Sequence, residues 1–164
     1  MPNTDLDLAF SQMVETTAEK VAGLGFRRRG AVLRIIKDNC AGVIEFQKST
    51  ESSRRKIIFT VNLAVICGVL QEKDDPSIET ARSMNAHLRQ RIGMLMPGRS
   101  DHWWEILDSG ERGAIASEVS DVVATLGAPY VVNYIDFKNL IALWKSGESP
   151  GLTKVQCLRY LDRL

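Results

Sequence analysis

Apolar positions along the chain change period twice. From Leu6 to Leu24 they recur every three or four residues (Leu6, Phe10, Met13, Val14, Val21), which predicts an amphipathic helix that Asn3 or Thr4 can cap and Gly25 stops. The period then drops to two, and residues 31–37, 42–49 and 56–66 read as strands joined by turn-rich pieces short enough to make antiparallel hairpins. In the third strand, alternation places Ile57, Phe59, Val61, Leu63 and Val65 on one face and Ile58, Thr60, Asn62, Ala64 and Ile66 on the other. The first set is the predicted core face.

Beyond a polar loop at 71–75, Pro76 opens a stretch, 77–84, that reads as a short helix or turn. Residues 87–96 alternate again and predict a fourth strand ended by Pro97-Gly98. Residues 103–107 predict a fifth, on which Trp103 and Trp104 must point to opposite faces. From Glu111 the helical period returns in Ile115, Val119, Val122, Val123 and Leu126, with Gly127 and Pro129 as a stop. Asp136 can cap a helix over 137–145, and Thr153 one over 154–163 with Val155, Leu158 and Leu161 inward. The expected architecture is a single α+β domain over 1–164: an N-terminal helix, an antiparallel sheet of about five strands in meander order, and C-terminal helices packed on it.

Composition narrows the class without identifying it. An apolar fraction of 45% and a charged fraction of 25% are those of an ordinary packed domain. A net charge of +1 speaks against a bulk pull toward nucleic acid or an anionic membrane. Basic residues still predominate from Lys20 to Lys56, where only Asp38, Glu45 and Glu51 are acidic, and the plainest reading is a charged sheet edge that discourages pairing with another chain. The longest apolar run, 57–70, falls short of the ~20 residues a bilayer requires. With no basic-then-apolar leader in the first ten residues, a cytoplasmic location is expected.

Taken in order, Leu24-Gly25-Phe26, Arg29-Gly30, Phe46-Gln47-Lys48-Ser49, Phe59-Thr60-Val61-Asn62-Leu63, Arg91-Ile92-Gly93 and Trp103-Trp104 resemble the bacterial family called domain of unknown function 4304, over roughly residues 5 to 145. The resemblance implies a helix followed by an antiparallel sheet. It brings no activity, so no catalytic residue is carried over.

Neither a Walker loop nor G-x-G-x-x-G is present, so no nucleotide cofactor is expected. Asp101-His102 and the distant His87 do not make a ligand cluster, so no metal is expected. Cys40, Cys67 and Cys157 are odd in number and widely spaced, which predicts reduced thiols: two in apolar runs, and Cys40 in a turn. What remains is a polar set on strands. Glu45 and Gln47 share a face of the second strand, and pairing with the third brings Gln47 toward Thr60 and Asn62. An amide inside so apolar a strand requires a hydrogen-bond partner. Of Trp103 and Trp104, one is expected in the core and the other against a helix or exposed as an anchor.

Three functions fit these residues. The first is a non-catalytic module that binds a protein partner. The second is an enzyme or binder for a small polar ligand on the sheet face, through Glu45, Gln47 and Asn62, with Thr60, Trp103 and Trp104 as further candidate contacts. The third is nucleic-acid binding through the basic N-terminal strands, disfavoured because those strands lack interleaved aromatics.

Overall fold

The computed structural model describes residues 4–164. Helix α1 (Thr4–Val21) continues into a single 3-10 turn and ends on Gly25. There φ is 106°, a left-handed value that glycine adopts without steric cost. Asn3, one of the two candidate caps, lies outside the described residues.

Six strands follow in one antiparallel sheet: β1 (Arg27–Arg29), β2 (Val32–Lys37), β3 (Cys40–Lys48), β4 (Lys56–Cys67), β5 (Leu88–Arg91) and β6 (Trp104–Leu107). Their order is β1-β2-β3-β4-β5, and β6 also pairs with β4. Strand β1 is an addition to the expected set, because three successive arginines carry no period-two signal. The turn between β2 and β3 is only Asp38-Asn39, both at positive φ, the two-residue hairpin geometry in which Asx residues are favoured. Cys40 is therefore not in the turn, as its neighbours suggested. It opens β3, buried and directly opposite Cys67. The hydrogen bond between the two thiols, followed by burial, pushes the Cys67 pKa well up.

The expected fourth strand, 87–96, is also corrected. Only Leu88–Arg91 pairs with β4, opposite Asn62 to Val65, after which Ile92–Leu95 turns as a 3-10 helix. Strand β6 resumes on the same edge, opposite Lys56 to Phe59. The twelve-residue β4 is thus flanked by two short strands with an excursion between them.

Alternation along β4 sorts the side chains as expected. Ile57, Phe59, Val61, Leu63 and Val65 lie in the main core, where Phe59 stacks on Trp104 at 5.7 Å and meets the Phe10 edge at 5.4 Å. The helices cover this face, here called the front. Gly127 and Pro129 do not stop the helix that begins at α2 (Arg112–Val122). It widens into a π turn, Val123–Gly127, and continues as α3 (Ala128–Ile135). The wide turn accommodates a residue without an amide hydrogen, so Pro129 is tolerated. Gly127 serves close packing: a Cβ there would stand 3.1 Å from Ile92 and 3.2 Å from Leu63. The helix is long and apolar enough to cross a bilayer, with a mean hydropathy of 1.2, but it lies on the sheet with Val119, Val123 and Val131 in the core.

Helix α4 (Phe137–Ser146) is capped by Asp136, and α5 (Lys154–Asp162) by Thr153, both as expected. The inward face of α5 is different. Val155 and Leu158 are 65% and 59% exposed, while Cys157, Tyr160 and Leu161 face the core.

The back of the sheet has its own small apolar cluster. Residues 76–86, expected to include a short helix or turn, form turns and one 3-10 turn (Ser83–Asn85), and they lay Ile78 and Ala81 over Val32, Ala41, Val43, Ala64 and Ile66.

Candidate functional site

On the back face, one cross-strand row runs Val32, Glu45, Asn62, Arg91. Glu45 is 7% exposed, and both its oxygens are engaged: Oε1 with Arg82 Nη2 at 2.5 Å and Oε2 with the Ser83 amide at 3.0 Å. The carboxylate thereby ties the 76–86 segment to the sheet. Asn62, 5% exposed, donates through Nδ2 to Gln47 Oε1 at 2.7 Å. The partner that the buried amide required is the residue the strand pairing brought toward it. Thr60 stands opposite Gln47 and is fully buried. Its hydroxyl donates to the His102 carbonyl at 2.7 Å, which fastens the excursion between β5 and β6 to β4.

The two tryptophans separate to opposite faces. Trp104 is buried on the front and donates to Glu118 of α2 at 3.2 Å. Trp103 is half-buried and donates to Asp101 at 3.0 Å, with the Arg91 guanidinium 5.1 Å from its ring centre. Glu45, Gln47, Thr60 and Asn62 thus share one face with Trp103, while Trp104 belongs to the aromatic core.

Beside this row the cover is incomplete. Between the β1–β2 hairpin and the 76–82 segment lies a cleft of about 360 Å³ lined by Arg29, Arg34, Arg82, Glu79, Thr80 and the floor residue Val32. Arg34 donates to the Ile78 carbonyl at 2.9 Å, and Arg82 holds Glu45. The Arg29 guanidinium has no hydrogen bond or ion pair among the described residues. Arg27 stands directly opposite Arg34 in the pairing of β1 with β2. Burial lowers the Arg34 pKa, Glu45 and Glu79 oppose that shift, and Arg29 and Arg82 add to it. Arg34, Glu79 and Arg82 were not among the residues singled out by the sequence pattern. The visible signal was the basic surplus before residue 56, but Arg34 and Arg82 are 48 positions apart and only the fold of the 76–86 segment joins them.

The model of the family described as domain of unknown function 4304 matches residues 17–133. The chain belongs to this family. No curated protein and no solved structure matches it. The matched span takes in the whole sheet, the back-face row and the cleft, and it ends within α3, so α4 and α5 lie beyond it.

Proposed function

We propose that this member of the family is a non-catalytic interaction module that holds a protein partner at the open end of the sheet's back face. The observation that carries the reading is a division of labour among the polar groups. Glu45, Gln47, Thr60 and Asn62 are bonded to one another or to the covering segments, and form a frame. The charge beside them on Arg29 is left over. Structural hydrogen bonds fix a surface, whereas an uncompensated guanidinium next to it favours an anionic group from outside the chain. The alternative, an enzyme working through Glu45, Gln47 and Asn62, assigns chemistry to side chains already engaged, of which Glu45 and Asn62 are nearly closed off from solvent.

The test uses the full chain as bait in a lysate of its source cells, alongside Arg29→Glu and, as a charge control on α4, Lys145→Glu. The expected result is a partner retained by the wild type and the control and lost with Arg29→Glu. Equal recovery with both variants ends the reading.

A further inference from the structure

We infer that the cleft between the β1–β2 hairpin and residues 76–82 is a site for the phosphoryl group of a phosphate monoester. This rests on the reading of the back face as a binding surface and gives that surface its ligand chemistry. Three features of the cleft point to this ligand. The first is the cost of the arrangement. Like charges directly opposite one another on a sheet are destabilising, yet Arg27 faces Arg34 across the ladder and Arg29 lies two residues along on the same side. Such a break of a local rule, only partly offset inside the chain by Glu45, Glu79 and the Ile78 carbonyl, is characteristic of functional positions.

The second is the balance of charge. The three guanidinium groups of the cleft (Arg29, Arg34, Arg82) meet two carboxylates, Glu79 in the lining and Glu45 on Arg82, which leaves a surplus of one positive charge. A phosphate monoester carries about −1.5 to −2 at neutral pH and brings three strong acceptor oxygens to these guanidiniums, whereas a carboxylate brings about one charge and two oxygens. The third is shape and chemistry. Guanidinium forks bind the oxygens of a phosphoryl group bidentately, and three of them line the cleft from different directions with the Thr80 hydroxyl beside them. The volume of about 360 Å³ suits a small group rather than a polymer. The lining contains no aromatic ring on which a nucleic-acid base could stack.

The experiment is a titration of the full chain with phenyl phosphate and with benzoate at constant ionic strength, followed by amide NMR. The ring is common to both probes, so the difference reads the anion. Phenyl phosphate is expected to shift the amides of Gly30, Ala31 and Thr80 and to bind at least about tenfold more tightly than benzoate. Arg29→Gln, which removes an exposed and unpartnered guanidinium, is expected to weaken phenyl phosphate about tenfold without unfolding the chain. Arg34→Lys keeps the charge, removes the fork, and is expected to weaken it as well. Equal affinity for the two probes, shifts elsewhere on the surface, or unchanged binding by Arg29→Gln each overturns the inference. Binding of a phosphoserine peptide more tightly than inorganic phosphate supports the site with its ligand carried on a partner chain. Equal binding of the two supports it with a free phosphate ester. If phenyl phosphate binds as expected while Arg29→Glu still captures the lysate partner, the interaction reading falls and the phosphoryl site stands. A lost partner with no phosphate binding gives the reverse.

Discussion

The front and back of β4 bury alternate residues of the same strand under two kinds of cover, and they differ in what they demand of the sequence. On the front, Ile57, Phe59, Val61, Leu63 and Val65 meet α1 and the long α2–α3 helix, regular elements that present continuous apolar stripes. On the back, Ala64 and Ile66 meet Ile78 and Ala81 from a stretch of turns, and toward Thr60 and Asn62 the contact becomes a set of hydrogen bonds. A face covered by helices is held by area and packing, which do not require particular partners. A face covered by an irregular segment depends on specific bonds to keep that segment in place, chiefly the Glu45 carboxylate and the Arg34 contact with the Ile78 carbonyl. The cleft opens on the second kind of face, where loop-borne side chains meet a rigid sheet.

The comparison predicts a hierarchy of damage. Phe59→Ala removes the centre of the aromatic cluster formed with Phe10, Phe46 and Trp104, and should lower the stability of the whole chain by about 3–5 kcal/mol in urea unfolding. A loss confined to one part of the molecule would contradict a front core shared by all the helices. Glu45→Ala strands the buried Ser83 amide and releases the Arg82 contact, at a cost of about 1–3 kcal/mol. Its sharper signature is local. Amide exchange should accelerate across residues 76–86 while the amides of β3 and β4 keep their protection. If 76–86 exchanges no faster in this variant, the carboxylate is not what ties the cover down.

The front was legible in the sequence because both partners are periodic: the alternation from Ile57 to Ile66 and the stripe from Ile115 to Val123 each mark the side that packs. The misreading at Gly127 and Pro129 has a definite cause. Punctuating residues normally end helices, and a π turn that absorbs a proline leaves no pattern of its own. The contact of Gln47 with Asn62 was legible because strand register follows from two short hairpins. The back cover was not, since turns and a single 3-10 helix have no periodicity that assigns Ile78 and Ala81 to a face. The cleft was hidden for the same reason: its arginines come from β1, β2 and the cover, and only the fold of 76–86 brings Arg82 to the other two. On α5, Val155-Leu158-Leu161 and Cys157-Tyr160-Leu161 are both acceptable stripes. Packing of Tyr160 against Trp144 and His87, each with ring centres 5.3 Å apart, selects the second.

His87 lies where the sheet edge meets α5, and it makes the comparison depend on pH. Its Nδ1 accepts the Cys67 amide at 3.0 Å, and its ring meets Tyr160 edge-on. Burial lowers its pKa below the ordinary 6.5, and the Arg163 charge adds to this, while Asp75 and a backbone bond at Leu70 oppose it. The unfolded chain therefore takes up the proton first. Stability should be level above 6.5 and fall as the pH drops from there toward the lower folded value, by at most about 1.4 kcal/mol per pH unit. Urea midpoints measured from about pH 7 to about pH 5 check the slope. His87→Gln, which keeps an acceptor for the Cys67 amide, should flatten it; an unchanged slope would assign the dependence to another group.

The smallest effect is expected where neither cover reaches. Leu158 is 59% exposed, so truncating it or making it polar removes little area from contact, and Leu158→Gln should alter stability by no more than about 0.5 kcal/mol. Tyr160→Ala, two residues along and on the docked stripe, loses its contacts with Trp144 and His87 and should cost several times as much. The pair is informative because the two stripes of α5 share Leu161 and differ only in which neighbours accompany it. A Leu158 variant as damaging as the Tyr160 variant would mean that α5 docks through the Val155-Leu158 side. That would take Tyr160 away from His87 and remove the aromatic contact that joins α5 to the edge of the sheet.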